Sequence, residues 1–209
     1  MRIALDAMGG DHAPEVTVEG AIETVKEYPD IEVILVGDKS RIEKELQDKK
    51  RFPRERLSIY HASEVISMDE SPSYALRRKK DSSIKRAVEL HKEGRADAVV
   101  SAGHSGVAMA TALFILGKAP GVDRPAIAAS LPTLKNPFVL IDAGANVDCK
   151  PTNILEFAYM GAAYYRAVFS TDNPRVALLS IGEEDTKGNE LTKEAFRLLK
   201  SSGLNFRGN

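Results

Sequence analysis

Four times along this chain, an apolar stretch runs straight into a loop of glycine and small polar residues. The first is Ile3-Ala-Leu-Asp6-Ala-Met-Gly9-Gly10-Asp11-His12, and the second is Ala98-Val-Val-Ser101-Ala-Gly103-His104-Ser105-Gly106. The third is Phe138-Val-Leu-Ile-Asp142-Ala-Gly144-Ala-Asn146-Val-Asp148. The fourth runs from Val176 through Ser180, Gly182, Glu183, Glu184, Asp185 and Lys187 to Gly188-Asn189. A strand, a tight turn and a helix make one βα unit, and repeated units build a parallel sheet covered by helices. Ligands of open α/β sheets bind beyond the carboxyl ends of the strands, so the four loops are expected to converge on one crevice. Glycine lets backbone approach a ligand, and a following helix points unpaired N–H groups at it. The pattern predicts an α/β protein, with a mostly parallel sheet flanked by helices, that holds an anionic, phosphate-bearing ligand.

Strands and helices alternate through the rest of the chain. Strand 2–6 leads to a helix near 14–28, with Pro14 in its first turn and Val16, Ala21, Ile22 and Val25 on its apolar face. Strand 31–36 is apolar except at Glu32, as a strand buried on both faces should be. A charged helix follows Gly37-Asp38, then a short strand at 57–60 and a less regular stretch at 61–81. Asp81-Ser82-Ser83 offers cap oxygens to a helix at 83–93. Strand 97–101 feeds the apolar helix 105–117, whose Ala108, Met109, Ala112, Leu113 and Leu116 suit either a substrate groove or core packing. Residues 126–131 and 137–142 are spaced as a hairpin-like pair on an otherwise parallel sheet, and helix 151–169, strand 175–181 and helix 188–201 complete the order. The whole of 1–209 reads as one domain. Leu204-Asn-Phe206 reads as the start of another strand, which suggests a chain incomplete at its C-terminus; a short edge strand with a tail is the alternative.

Composition narrows the function classes. A net charge of −1 and a pI near 6.5 give no basic footprint for nucleic acid. The one cysteine, Cys149, excludes a disulfide framework and fits a reducing, cytosolic setting. There is no signal-peptide pattern at Met1-Arg2 and no apolar run of about 18 residues. No Gly-x-x-x-x-Gly-Lys-Ser/Thr occurs, which argues against a P-loop nucleotidase.

Taken in order, the loops resemble the PlsX-type phosphate acyltransferase family. The matching motifs are Asp6-Ala-Met-Gly-Gly-Asp11-His-Ala-Pro14, Lys79-Lys80-Asp81-Ser82-Ser83, Ser101-Ala-Gly103, Arg124-Pro125-Ala126, Asp142-Ala-Gly-Ala-Asn146-Val-Asp148 and Gly182-Glu-Glu-Asp-Thr-Lys187-Gly-Asn-Glu190. Each is weak alone; their order and spacing are specific. The family usually has Asn where this chain has His104, and it runs roughly half as long again, with later glycine motifs and a helical projection. The resemblance implies a fold like that of isocitrate and isopropylmalate dehydrogenases and phosphotransacetylases. It implies transfer of a long-chain acyl group from acyl carrier protein to inorganic phosphate, giving acyl phosphate for bacterial phospholipid synthesis. It also implies a cytoplasmic homodimer, with peripheral contact to the inner face of the plasma membrane in the full-length family, and no metal or organic cofactor. A short-chain phosphotransacetylase acting on acyl-CoA, or an inactive fragment that only binds partners, are the alternatives.

Phosphate is abundant as a dianion near neutral pH, so the chemistry needs positioning and oxyanion stabilisation more than a strong base. Lys187, Asn146 and His104 are the candidate catalytic donors. Asp6, Gly9, Gly10, Asp11, Lys79, Lys80, Ser82, Ser101, Gly103, Ser105, Gly106, Asp142, Gly144, Asp148 and Gly182 are the candidate substrate-binding residues. Each has a plainer reading. Asp6 and Asp11 suit caps, and His104 suits a helix N-cap. Asp142 and Asp148, without further ligands, suit turn chemistry rather than a metal pair. Lys187 follows three acids and suits a surface charge pair. Arg77-Arg78-Lys79-Lys80 suits a solvated face, or else a contact for phosphate or the acidic carrier protein. Cys149 has no His partner and suits packing rather than covalent catalysis.

Overall fold

Val33 and Leu35 point to one side of their strand, Ile34 and Val36 to the other, and both sides are covered. In the computed structural model, which describes residues 1–185 and 187–209, the chain divides into two compact units, Met1–Gly117 and Lys118–Asn209. The first unit contains β1 (Arg2–Asp6), α1 (Glu15–Glu27), β2 (Glu32–Gly37), α2 (Lys39–Gln47), β3 (Leu57–His61), α3 (Pro72–Arg78), α4 (Ser83–Lys92), β4 (Ala98–Val100) and α5 (Ser105–Leu116). Its four strands pair in parallel in the order β3-β2-β1-β4, with Leu5 opposite both Leu35 and Val100. Val18, Ala21, Ile22 and Val25 of α1 and Ile42 and Leu46 of α2 seal one face against Val33 and Leu35. Ala87 and Leu90 of α4 seal the other against Ala4 and Val36. Burying each of these larger side chains contributes roughly 1.5–3 kcal/mol.

Several local expectations need correction. Val16 is exposed and lies off the apolar stripe of α1. Pro14 is the N-cap residue of α1 rather than part of its first turn, and Asp11 makes no cap to that helix. Thr17 ties the start of α1 to the exit of β1, its hydroxyl donating to the Ala7 carbonyl at 2.7 Å. The stretch 61–81 contains the helix α3, started by Ser71 accepting from the Tyr74 N–H and by Pro72. Ser82 is the N-cap residue of α4, yet its side chain makes no capping bond.

The second unit contains β5 (Ala128–Leu131), β6 (Phe138–Ile141), α6 (Pro151–Phe169) and α7 (Glu190–Lys200). The expected hairpin forms, Ala128 opposite Ile141 and Leu131 opposite Phe138, but as a two-stranded antiparallel sheet of its own rather than as part of the parallel sheet, with which neither strand pairs. Gly161 lets α6 lie close to β6: a Cβ there would sit 2.9 Å from Cγ2 of Ile141. Asn189 caps α7, accepting from the Thr192 N–H at 2.9 Å, and Ala195, Phe196 and Leu199 pack with Ala158 and Leu178. The expected strand at 175–181 is not a strand. Val176 bridges Phe206 in parallel, with bonds to Asn205 and Arg207, and Leu178 bonds Gly208; the ladder stops there. Leu179 and Ile181 are exposed, so apolar character alone did not supply the hydrogen-bonding neighbour a strand requires. Thr186 of the fourth glycine loop lies outside the described residues.

Candidate active site

Successive strands β1, β2 and β3 run to one side of β1, while β4 adds on the other. The strand order therefore reverses between β1 and β4, and the loops after those two strands flank the switch point where open α/β sheets bind ligands. These are the loops that carry Asp6-Gly9 and Ser101-Gly106.

Asp6, at the end of β1, is 3% exposed. Its Oδ1 accepts the Met8 N–H at 3.2 Å, and its Oδ2 accepts the Ser101 hydroxyl at 2.7 Å. The same Ser101 oxygen accepts the Gly103 N–H at 3.1 Å. One carboxylate thus fastens both loops. Close approach follows from the glycines: a Cβ on Gly9 would lie 2.6 Å from Asp6 Oδ2 and 2.9 Å from the Gly103 nitrogen. Gly10 has φ of 107°, a conformation that favours glycine.

His104 is the N-cap of α5, its Nδ1 accepting the Val107 N–H at 3.4 Å. That assignment leaves the proton on Nε2, which is then a hydrogen-bond donor. Gly106 fits beneath the ring, its absent Cβ falling 3.1 Å from Cε1. A pocket opens here, lined by Asp6, Met8, Gly9, Ile66, Ser83, Ile84, Ser101, Gly103, His104 and Val107. Ser105 is exposed on the first turn of α5. Asp11 is exposed and lies outside the lining.

The structure moves the middle motif's role. Ser82 is buried but does not line the pocket; Ser83 does. The sequence offered Ser83 as a cap oxygen and as the end of the middle motif, but not as a binding residue. Lys79 is not a free cation: it donates to Glu70 Oε1 and to the Val65 carbonyl, with both charged side chains largely covered. That hydrogen bond lowers the Glu70 pKa. Lys80 reaches back to the Leu76 carbonyl at 3.2 Å. Asp81 accepts from the Ser63 hydroxyl and N–H and from Arg86 Nε, and these partners, Ser63 foremost, hold its carboxyl far below the usual range. Arg77 and Arg78 are exposed.

In the second unit, Asp142 closes a turn: Oδ1 accepts the Ile127 N–H and Oδ2 the Asn146 N–H, both at 2.7 Å. The Asn146 amide donates to the Pro125 carbonyl at 2.9 Å, and Arg124 donates to the Asp148 carbonyl at 2.6 Å. Gly144 has φ of 97°. Burial, aided by the charge of Asp142, raises the Cys149 pKa, which disfavours a thiolate nucleophile. Lys187 is exposed, its N–H bonded to the Glu184 carbonyl and its side chain packed over Gly182. Among the described residues, no group of three or more His, Cys, Asp or Glu is placed to hold a metal ion. No helix of those residues is long and apolar enough to cross a membrane.

A family model described as "Fatty acid synthesis protein" matches residues 1–209. The chain belongs to this family. It is 57% identical over its full length to the phosphate acyltransferase of Thermodesulfovibrio yellowstonii, covering 60% of that protein. It is 55% identical to that of Heliobacterium modesticaldum and 51% identical to that of Clostridium botulinum strain Loch Maree, covering 62% of each. This family member therefore spans somewhat under two thirds of those relatives. Among solved structures it is similar to the EutD phosphotransacetylase of Staphylococcus aureus, with a TM-score of 0.67 and 20% identity over the whole chain and 67% of that one. A 4-hydroxythreonine-4-phosphate dehydrogenase from Klebsiella pneumoniae aligns with a TM-score of 0.55 and 16% identity, over the whole chain and 74% of its own. These likenesses show the fold shared by the family member and both enzymes.

Proposed function

We propose that this protein transfers a long-chain acyl group from acyl carrier protein to inorganic phosphate. The observation that carries the reading is the pocket at the β1/β4 switch point, built from the Asp6-Gly9 and Ser101-His104 loops in a chain of this family. A phosphate oxygen attacks the thioester carbonyl carbon. The tetrahedral oxyanion collapses, the C–S bond breaks, and the carrier thiolate leaves and takes up a proton. Acyl phosphate is the product. His104 Nε2–H and first-turn N–H groups of α5 supply donors in the first unit. Asn146 and Lys187 are candidate donors in the second. A well-aimed oxyanion donor is worth about 3 kcal/mol. Arg77 and Arg78 provide exposed positive charge for an acidic carrier protein, which acts mainly on association rate. The homodimer, the cytoplasmic setting and the peripheral membrane contact implied by the family resemblance belong to the same proposal.

The test is acyl phosphate formation by the 209-residue chain from palmitoyl-carrier protein. Thioester loss should require phosphate and should exceed that from acetyl-CoA. Loss at the same rate without phosphate overturns the reading, and preference for acetyl-CoA replaces it with a short-chain phosphotransacetylase. Lys187→Ala should raise the KM for phosphate about tenfold with little change in melting temperature. Unchanged phosphate kinetics would remove Lys187 from the candidate donors.

A further inference from the structure

Two helices begin at the same pocket: Ser83 and Ile84 of α4 and His104 and Val107 of α5 line it together. Two of the first-turn N–H groups are already engaged, that of Ser83 by the Glu64 carbonyl at 3.2 Å and that of Val107 by His104 Nδ1 at 3.4 Å, but both N-termini carry partial positive charge. Ser83 adds a separate observation. It is 3% exposed, lines the pocket, and its hydroxyl bonds to no other described residue. A hydroxyl on a nearly buried residue, with no protein partner among the described residues, is left to bond whatever enters the pocket. Met8, Ile66, Ile84 and Val107 make the rest of the wall apolar, so a polar group left unmatched there is penalised.

Asp6 makes this a selective site. Its carboxylate lines the same pocket, and Met8 and Ser101 each use one lone pair on different oxygens. A carboxylate accepts roughly four hydrogen bonds, so acceptor capacity remains. An anion with no proton meets that carboxylate as like charge. An anion that carries a proton can donate it as a hydrogen bond instead. Both forms of inorganic phosphate present near neutral pH carry a proton; sulfate carries none.

We infer that the pocket selects a protonated tetrahedral oxyanion, with the P–OH of phosphate donating to Asp6 and its ionised oxygens accepting from the Ser83 hydroxyl in the positive field of the α4 and α5 N-termini. Asp6 is then a specificity-determining residue as well as the tie between two loops. This inference rests on the reading of the pocket as the phosphate site.

The experiment is calorimetric titration of the 209-residue chain with inorganic phosphate, arsenate and sulfate near neutral pH, without acyl donor. Phosphate and arsenate should bind at least about tenfold more tightly than sulfate, the size expected for one unmatched buried acceptor. Ser83→Ala should weaken phosphate and sulfate by a similar factor and keep their ratio. Asp6→Asn should move the ratio toward one, because the amide can donate to sulfate. Circular dichroism establishes which variants fold; if Asp6→Asn does not, the wild-type ratio and Ser83→Ala decide. Equal affinity for phosphate and sulfate, no binding of phosphate, or unchanged affinities in Ser83→Ala overturns the inference. Anion selectivity without acyl transfer would overturn the proposed function alone. Acyl transfer without selectivity would overturn this inference alone.

Discussion

The Ser101 hydroxyl donates to Asp6 at 2.7 Å across 95 residues of sequence, and through that bond the loop after β4 is held on the loop after β1. Ser101→Ala strips a partner from a nearly buried carboxylate and from the Gly103 N–H. It should cost about 1–3 kcal/mol in urea unfolding. Ser105→Ala, at an exposed position on the first turn of α5, should stay within about 0.5 kcal/mol. Equal effects would show that the bond adds nothing to stability.

Glycine is required at position 9 by space. Gly9→Ala drives a Cβ into Asp6 Oδ2 and the Gly103 backbone, and should destabilise by about 1–3 kcal/mol. Gly20, inside α1, has nothing within 4 Å of an added Cβ. Gly20→Ala should stabilise by roughly 0.5–1 kcal/mol through helix propensity. Thermal melts of the two variants in opposite directions are the expected result.

The basic run should divide in its effects. Lys79→Ala removes the partner of Glu70 and should lower the melting temperature, with little change in the salt dependence of carrier-protein kinetics. Arg77→Glu with Arg78→Glu should leave the melt nearly unchanged. That pair should slow transfer from the carrier protein more than from acyl-CoA, with the difference shrinking as salt rises. Equal slowing of both donors would make the arginines a solvated surface only.

Acid should loosen the α4 end of the first unit. The Asp81 pKa is lowered by Ser63 and Arg86 in the folded state. A lowered folded value contributes stability that is fully present above the unfolded pKa near 3.9 and is lost as pH falls from there through the folded value. Asp81→Asn should therefore be less stable than wild type at neutral pH, and its stability should fall less steeply below about pH 4. Glu70 acts in the same direction through Lys79, so some acid sensitivity should persist. Parallel stability–pH curves for the two proteins would show that Asp81 is not involved.

Periodicity alone placed β1, β2, α1 and α6 within a residue or two of where they lie. Val33 and Leu35 against Ile34 and Val36, and Ala21, Ile22 and Val25, are local patterns that hydrophobic burial reads directly, whereas Val16 was read into the stripe that Val18 fills. The hairpin of β5 and β6 was legible from the spacing of its two apolar runs, though not its separation from the parallel sheet, and His104 as an N-cap from its place at a helix start. The pairing of 175–181 was not legible, because a strand exists only when another backbone completes its ladder. Residue type and motif order singled out Asp6, Gly9, Ser101 and Gly103. That Asp6 and Ser101 touch, that Lys79 is taken by Glu70, and that Ser83 rather than Ser82 lines the pocket were decided by tertiary structure. A sequence fixes which side chains could donate, accept or stand close; which of them meet depends on strand order and helix rotation, and those follow from packing across the whole sheet.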